Sequence, residues 1–408
     1  VMAEGGINAA LNTKDENDSP EEHFTDTIKA ACGLADPNAV WGMTQAAPEL
    51  VHWLLKLGVK FNMSGYDDVD LRNFGGQKKK RTAFAQSDTG KQIMTAMIDA
   101  VRRKEASGMV ERFSHHSFLT LRLCGNICCG CVIRDEYSQE TVELPGDAVI
   151  VATGGMHGLF GNTTGSLSNT GEVTAELFRL GVPLANGEMI QYHPTTVKCG
   201  GKRMLISEAA RGEGGRLFAM KDGKQWYFME EKYPELGNLM PRDITAREIW
   251  NVSHESEVFL DMTEISDEII SNKLSGLADD CMTYLHKDIR KEPVSVLPGI
   301  HYFMGGILVD EQHRTPIQNL CAAGECCAQY HGANRLGGNS LLGALYGGRV
   351  AAKSACEQAD VVDLSCATQI DFPPASQISE IKQLNKVMQE TMGVVRNENT
   401  LLNGIQTV

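Results

Sequence analysis

Seven polar residues between positions 193 and 335 carry side chains that could bind and protonate an anion. They are His193, Ser207, Glu208, Arg211, Arg242, His301 and Arg335. An arginine presents a planar fork of donors that matches a carboxylate, and a histidine can donate a hydrogen bond or carry a proton near neutral pH. All seven fall at or near turns rather than on one periodic face, so their spacing alone does not group them.

Each of these residues also has an ordinary structural interpretation. A lone histidine is more often a hydrogen-bonded structural residue than a ligand, and an isolated arginine is usually solvated. Glu208 and Arg211 are three residues apart, which is the spacing of a simple ion pair on a helix surface. The residue types therefore leave catalysis and structure open, and the surrounding motifs must decide.

The segment 318–350 has the pattern of a strand, a glycine-rich loop and a helix. Residues 320–323 form a short apolar run typical of a buried strand, and a glycine ends it. The loop that follows holds one cation, Arg335, and we predict that Asn339 and Ser340 cap the next helix. A capped helix start beneath a glycine loop offers N–H groups to an anionic cofactor, although such a corner also needs glycines for packing alone.

The amino-acid sequence of this segment resembles a known family signature. Ala-Gly-Glu followed by His-Gly-Ala-Asn-Arg-Leu-Gly-Gly-Asn-Ser-Leu-Leu is similar to the flavin-contacting C-terminal block of the succinate dehydrogenase and fumarate reductase flavoprotein family. This is the FAD-dependent oxidoreductase 2 family, of which L-aspartate oxidase is a relative. Further blocks extend the resemblance over nearly the whole chain, including Ala-Thr-Gly-Gly at 152–155 and His-Tyr-Phe-Met-Gly-Gly at 301–306.

The resemblance implies FAD as the cofactor. In the family, glycine pairs, a glutamate and the Ser-Leu pair at the helix start touch FAD, so we expect the matching residues to do the same. These residues are Gly5, Gly6, Gly154, Gly155, Glu172, Glu325, Ser340 and Leu341. Glu172 stands where the family usually has aspartate, so the acid is kept but its reach is longer.

The resemblance also implies a substrate with two carboxylates. Arg335 matches the arginine that grips one carboxylate, and His301 matches a further donor at that end. His193 and Ser207 match the donors to the other carboxylate, with serine where the family usually has threonine. Holding both ends of a four-carbon dicarboxylate would fix its central carbons over flavin N5, as hydride transfer requires.

Proton transfer in this family is carried out by an arginine, and Arg242 of the Pro-Arg-Asp motif matches it. A free arginine is too basic to release a proton readily, so it needs a neighbouring cation and a relay. Glu208 and Arg211 match the family's relay to solvent. Arg247 is a second candidate for the acid, further along the same segment.

The implied reaction is the interconversion of fumarate and succinate, and Glu4 favours fumarate reduction. Many fumarate reductases have glutamate at this position, and a carboxylate beside the flavin would lower its reduction potential. L-aspartate oxidase is the alternative enzyme, but Met304 stands where aspartate oxidases usually have cysteine. An inactive flavin-binding scaffold is a third hypothesis, which the intact set of histidines and arginines disfavours.

The composition limits the partners. The chain has 408 residues with 38 basic and 52 acidic side chains, and its net charge of −14 argues against nucleic acid and against a polybasic membrane patch. No segment approaches the length of a membrane span. The resemblance implies an iron–sulfur partner subunit, so we expect a cytoplasmic location or peripheral attachment to the cytoplasmic face of the inner membrane through partners.

The 12 cysteines indicate neither a metal centre nor a disulfide framework. Cys128, Cys129 and Cys131 lie in an alternating apolar segment, so we predict that they are buried strand residues rather than metal ligands. This cysteine usage fits a reducing compartment.

The predicted fold is α/β, with an FAD-binding domain of the two-dinucleotide-fold type and an inserted α+β capping domain. We assign residues 1–183 and 302–370 to the FAD-binding domain, 184–301 to the capping domain, and 371–408 to the start of a C-terminal helical domain. The family's Gly-x-Gly-x-x-Gly phosphate loop is absent from this sequence. We therefore expect that the chain lacks the N-terminal part of its FAD-binding domain. Because the helical pattern of the last segment stops part-way at Val408, we expect truncation at both ends.

Local patterns predict some of the elements that must hold these side chains. A helix over 40–57 ends at a glycine, and strands follow at 118–123, 128–133 and 147–153. The last strand is a continuous apolar run, typical of a parallel strand covered on both faces. The basic run at 78–81 is predicted to be a solvated loop.

Overall fold

The computed structural model describes residues 4–358 and 378–408. The predicted boundary between residues 370 and 371 lies outside the described residues. No helix in the described part of the chain is long and apolar enough to cross a membrane.

Most strands of the described residues are short. In chain order they are β1 (Ile7–Asn8), β2 (Leu71–Arg72), β3 (Thr82–Ala83), β4 (His116–Cys124), β5 (Ile127–Asp135), β6 (Thr141–Pro145), β7 (Val149–Val151), β8 (Leu184–Ala185), β9 (Ile190–Cys199), β10 (Lys202–Leu205), β11 (Arg216–Lys221), β12 (Lys224–Trp226), β13 (Val258–Asp261), β14 (Val294–Ser295), β15 (Leu297–Phe303), β16 (Gly306–Ile307) and β17 (Leu320–Ala322).

The α-helices alternate with these strands in the first half of the chain and follow them at its end. In chain order they are α1 (Pro20–Ala30), α2 (Pro37–Leu57), α3 (Thr89–Ala106), α4 (Glu172–Arg179), α5 (Glu208–Gly212), α6 (Phe228–Lys232), α7 (Arg242–Ser253), α8 (Asp267–Lys273), α9 (Ser275–Asp280), α10 (Asn339–Gln358), α11 (Ile378–Thr391) and α12 (Glu398–Thr407).

Helix α2 and strands β4 and β5 confirm three of the predicted elements. Helix α2 ends at Gly58, whose φ of 99° lies in the left-handed region that favours glycine. Strand β5 pairs antiparallel with β4 on one side and β6 on the other. Cys128 and Cys129 are completely buried on β5 and Cys131 is half-buried, which confirms the prediction of strand cysteines. Burial raises the pKa of Cys128 to about 11, so its thiol stays neutral.

The parallel pair of β7 and β17 lies at the centre of the FAD-binding part. Val151, Leu320 and Ala322 from the two strands share one apolar cluster. On the opposite face Ile150 remains 40% exposed, so the expectation of a strand covered on both faces is wrong there. Helix α10 packs on the neighbouring Cys321 through Ala351 and Ala355.

Two antiparallel sheets occupy the segment 184–301 that we predict to be a capping domain, and the last strand of one of them, β15, extends past its end to Phe303. One has the order β10-β9-β15 and the other the order β12-β11-β13-β14. A large apolar cluster, including Leu217, Leu260 and Leu277, packs between these strands and the helices of the segment. Because β9 pairs with β15, the two ends of the segment lie side by side. The domain boundaries themselves stay a prediction.

Helix α10 begins at Asn339, and the predicted cap by this residue is wrong. Its Oδ1 accepts a hydrogen bond from Asn8 Nδ2 at 2.7 Å and lies 2.9 Å from His23 Nε2. Its Nδ2 donates to Thr27 Oγ1 at 3.0 Å. Ser340 follows in the first turn of the helix. The side chain of Asn339 therefore ties β1 and α1 to the start of α10 instead of capping the helix.

The prediction that the basic residues 78–81 form a solvated loop is wrong at Arg81. Its side chain is completely buried, with Nη2 at 2.8 Å from Asp18 Oδ1 and Nη1 at 3.0 Å from Asp26 Oδ2. The side chain of the adjacent Lys80 is 50% exposed, as a solvated loop requires. Arg81 takes its two partners from the loop before α1 and from α1, so the ion pairs join this region to β3.

We predict that Arg81→Met lowers the free energy of unfolding by about 3–5 kcal/mol, the range for breaking a buried ion pair. Methionine fills much of the volume but leaves the carboxylates of Asp18 and Asp26 without their cation. Urea unfolding followed by circular dichroism measures the change. Lys80→Met is the control and should stay within about 0.5 kcal/mol of the parent. Equal losses for the two variants would contradict the prediction.

Candidate active site

Ten of the predicted site residues line one narrow cavity. They are Gly5, Gly6, His193, Ser207, Glu208, Arg242, His301, Arg335, Ser340 and Leu341. Glu4, Phe74 and Leu205 form much of the remaining wall. The fold thus brings together the N-terminal segment, the segment 184–301 and the loop before α10, although the roles of these residues stay predictions.

The ends of secondary-structure elements position several of these side chains. Ser207 is the N-cap of α5, and its Oγ accepts a hydrogen bond from Ala209 N at 3.3 Å, so the hydroxyl keeps its hydrogen to donate. Glu208 is the first residue of α5, and Arg242 is the first residue of α7. Side chains at helix starts can reach into the cavity without interrupting a helix.

Glu208 is the carboxylate at the centre of the polar group. Its Oε2 accepts from Arg242 Nε at 2.7 Å and lies 2.6 Å from Arg242 Nη2, and its Oε1 accepts from Gly75 N at 2.8 Å. Burial alone would raise the pKa of Glu208, but Arg242 and Arg211 outweigh it and lower the pKa below its ordinary value. Glu208 is therefore ionised and paired at neutral pH.

Arg211 lies on the other side of Glu208. Its Nη2 is 3.7 Å from Glu208 Oε1, and its Nη1 donates to Asn238 O at 2.6 Å. Nε and Nη2 have no hydrogen-bond partner among the described residues. Burial lowers the pKa of Arg211. The predicted order Arg242, Glu208, Arg211 is present in space, whereas Arg247 does not line the cavity and its side chain is 54% exposed beside Asp243.

Sequence reasoning missed Gln191, which joins two of the arginines. Its Oε1 accepts from Arg242 Nη1 at 3.1 Å and from Arg335 Nη2 at 2.7 Å, and its Nε2 donates to Arg335 O at 2.7 Å. Gln191 precedes His193 by two residues on β9, and residues so spaced on a strand share a face. The spacing Gln-x-His was the signal that could have identified it, once residues 190–199 are recognised as a strand.

Arg335 is buried with incomplete hydrogen bonding. It lies over the Tyr302 ring at 4.4 Å, and its Nε has no partner among the described residues. Burial, with a contribution from Arg242, lowers the pKa of Arg335 to about 9. An unpartnered donor on a buried cation is what an anionic ligand would satisfy.

His193 and His301 face each other with ring centroids 5.1 Å apart. Nδ1 of His193 lies 3.1 Å from Thr195 O, and Nδ1 of His301 lies 2.8 Å from Thr164 Oγ1. His301 is the extra residue of a β-bulge, because Ile300 and Tyr302 pair with consecutive residues of β9. Burial and the nearby Arg242 lower the pKa of both histidines well below the ordinary value, so both rings are neutral.

The remaining predicted cofactor residues lie apart from this cavity. Gly154, Gly155 and Glu172 line a second cavity of about 300 Å³ together with residues 168–171. Glu325 lies beside Gly155, and a Cβ on that glycine would come within 2.6 Å of Glu325 Oε1. Gly6 has a φ of +136° and an added Cβ would lie 2.5 Å from Ala83 O. Gly155 and Gly6 thus permit close contacts within the protein, with the Glu325 side chain in one case and the β3 backbone in the other, at the walls of the two cavities.

The FAD binding domain family matches residues 1–341 of the chain. A succinate dehydrogenase flavoprotein subunit of Bacillus subtilis is 43% identical over 374 residues, covering 90% of this chain and 64% of the relative. The 8-methylmenaquinol:fumarate reductase flavoprotein subunit of Wolinella succinogenes is 32% identical over 432 residues, covering 98% of this chain and 69% of the relative. The chain belongs to the succinate dehydrogenase and fumarate reductase flavoprotein family. L-aspartate oxidases are also among the relatives of this flavoprotein.

The solved structure of an E. coli quinol fumarate reductase variant superposes on the flavoprotein with a TM-score of 0.88 and 27% identity. It covers 100% of this chain, which spans 74% of that chain. These comparisons confirm the predicted α/β FAD-binding fold and FAD as the cofactor. They do not test the individual site residues.

The neutral histidines predict how stability depends on pH. An unfolded histidine has a pKa of about 6.5, so below that pH the unfolded chain binds protons that folded His193 and His301 exclude. The free energy of unfolding should therefore fall as the pH drops from 6.5, by about 1.4 kcal/mol per pH unit for each histidine. Urea titrations at pH 7, 6 and 5 should show a shallower dependence for His301→Gln. As a control, His254→Gln at an exposed histidine should leave the slope of unfolding free energy against pH as in the parent. Equal slopes for the parent and both variants would contradict the assignment of His301 as a neutral buried histidine.

Proposed function

We propose that this flavoprotein interconverts fumarate and succinate with FAD. The observation that supports it best is the charge at the cavity. Arg242 and Arg335 line it together with the ionised Glu208, and Arg211 lies beside the cavity with its Nη2 3.7 Å from Glu208 Oε1. The neighbouring histidines are neutral, so the group has an excess of positive charge. A dianionic dicarboxylate would neutralise this excess. Because the chain spans 64% of the length of the Bacillus subtilis relative, the activity is a proposal for the whole protein.

Two sets of donors suit the two ends of such a substrate. We assign Arg335 and His301 to one carboxylate, and the unpartnered Nε of Arg335 supports this assignment. We assign His193 and Ser207 to the other, since the Ser207 hydroxyl keeps its hydrogen and His193 uses only Nδ1 within the protein. Holding both ends would orient the central carbons and exclude water from them.

When bound, FAD supplies hydride donation and acceptance at N5, and the chain must move the accompanying proton. We assign this to Arg242, whose three nitrogens are all directed to Glu208 and Gln191. The cations Arg211 and Arg335 share partners with Arg242, since Arg211 approaches the Glu208 carboxylate and Arg335 donates to Gln191 Oε1. Because Glu208 is ionised, it would take up a proton from the side of Arg211 and pass it to Arg242, so Arg211 extends this relay on its far side.

The direction of the reaction stays a prediction. The preference for fumarate reduction depends on a negative charge at Glu4, whose side chain lines the cavity. Burial, with contributions from Asp280 and Asp88, raises the pKa of Glu4 well above its ordinary value and favours the neutral acid. The electrostatic argument for fumarate reduction is therefore weaker in the folded protein than in the sequence.

L-aspartate oxidase is the second candidate function, supported by its presence among the relatives. Met304 is buried in the strand connection after His301, at the position where that enzyme usually has cysteine. Turnover of succinate or fumarate with no oxidation of L-aspartate would favour the first proposal. An iron–sulfur partner subunit and a location in the cytoplasm or peripherally on the inner membrane also stay proposals, supported by relatives that are named flavoprotein subunits.

Arg335→Lys should weaken substrate binding far more than it weakens folding. Lysine keeps the charge but loses the planar fork and the contact with Tyr302. Loss of charge-assisted hydrogen bonds worth about 1.5–3 kcal/mol each should lower kcat/KM for fumarate by about tenfold to a hundredfold. Steady-state kinetics of the full-length protein measures this, and an unchanged kcat/KM would rule out the carboxylate clamp.

Arg242→Ala should leave FAD bound and reducible but lower fumarate turnover by about 10²–10⁴-fold, as expected for a lost general acid. Arg247→Ala is a matched control on the same helix, because its side chain is 54% exposed and pairs with Asp243 outside the cavity. It should retain parental turnover. His301→Ala should affect both KM and kcat. If His301→Ala abolished turnover while Arg242→Ala kept most of it, the proton donor would be His301.

A further inference from the structure

His157 belongs to none of the motifs in the sequence analysis, yet it contacts a predicted cofactor residue. It begins the short 3-10 helix His157–Leu159 and is 3% exposed. Its Nε2 lies 3.0 Å from Glu325 Oε1, and its Nδ1 lies 2.6 Å from Thr163 Oγ1. The ring packs edge-on against Phe303, with centroids 5.0 Å apart. Both ring nitrogens are used, and the ring is fixed on three sides.

The protein holds one oxygen of the Glu325 carboxylate. Oε1 accepts from Phe303 N at 3.0 Å as well as from His157 Nε2. This oxygen lies against Gly155, because a Cβ at that position would come within 2.6 Å of it. No described residue donates a hydrogen bond to Oε2, and the side chain remains 21% exposed. One oxygen is therefore locked by the protein while the other is left for a ligand.

The hydrogen-bond partners of His157 determine which of its ring nitrogens carry a hydrogen. Because Glu325 Oε1 accepts from Phe303 N, it acts as an acceptor here, so Nε2 of His157 must be the donor and carry a hydrogen. If the ring is neutral, Nδ1 accepts from the Thr163 hydroxyl. If the ring is protonated, Nδ1 donates to Thr163, whose hydrogen can turn to Ile300 O at 3.1 Å. Either way the ring has a full set of partners, and its donor to Glu325 is kept.

We propose that His157 is a positioning residue for FAD, which holds the Glu325 carboxylate so that Oε2 faces a donor group of the cofactor. This inference rests on the FAD contact that we propose for Glu325. Without His157, Oε1 keeps a single donor, Phe303 N, and the carboxylate can rotate about its final torsion, which has a broad minimum. Binding of FAD must then also order this group, so its affinity falls.

The test is the affinity of the full-length apoprotein for FAD, measured by quenching of flavin fluorescence. Glutamine at position 157 can place its amide nitrogen near the Nε2 position and keep the donor to Glu325, whereas asparagine reaches only the Thr163 side. We expect His157→Gln to bind FAD within about threefold of the parent, and His157→Asn and His157→Ala to bind about tenfold or more weakly. His254→Ala, at an exposed histidine, should bind like the parent.

The variant Glu325→Gln tests the proposed FAD contact of Glu325 separately from the proposed role of His157. If Glu325→Gln binds FAD as tightly as the parent, the FAD contact of Glu325 is wrong, and the inference fails with it. If Glu325→Gln weakens FAD binding and His157→Ala does not, only the role of His157 is overturned. Equal losses for His157→Gln and His157→Asn, with a lower melting temperature of the apoprotein, would also overturn it, because they indicate a packing role.

Discussion

The ion pair between Glu208 and Arg242 is the interaction on which the cavity depends. It places the first residue of α5 against the first residue of α7, and Gly75 N holds the same carboxylate from the N-terminal part of the chain. A Cβ at Gly337 would lie 3.0 Å from both Glu208 Oε2 and Arg242 Nη2, so the loop before α10 must also pass without a side chain. Three separate parts of the sequence thus meet at one pair of charges.

The same group of charges is unbalanced when no ligand is bound. Arg211 and Arg335 add two buried cations, while Glu4, the other carboxyl group on the wall, is held towards its neutral form by a raised pKa. Unpartnered buried donors cost free energy that folding elsewhere must offset. A large apolar cluster in the segment 184–301 and the ion pairs of Arg81 are among the interactions that can supply it. The unpartnered arginine donors therefore lower the stability of the fold, and a bound anion would raise it again by accepting their hydrogen bonds.

Much of the fold and the candidate site could be predicted from the sequence because the decisive signals are local. The alternation of strand and helix and the glycine after helix α2 depend on neighbouring residues, and the family blocks located the residues that line the cavity. The failures concern partners that are distant in sequence. Arg81 looked like part of a solvated run, since nothing nearby reveals the buried carboxylates of Asp18 and Asp26. Asn339 looked like a helix cap for the same reason, and Gln191 and His157 were missed because their contacts lie 51 to 168 residues away.

Strand β15 serves both ligand sites of the proposed enzyme. His301 lines the cavity that we propose for the substrate, and two residues later Phe303 N donates to Glu325, which we propose as a cofactor contact. Since a paired strand moves as a unit, a shift that improves one site also moves the other. If a dicarboxylate binds there, its binding free energy and that of FAD would be linked, and because such linkage is reciprocal, each ligand would change the affinity of the other by the same factor. Retention of the cofactor would accordingly depend on the supply of dicarboxylate in the cell.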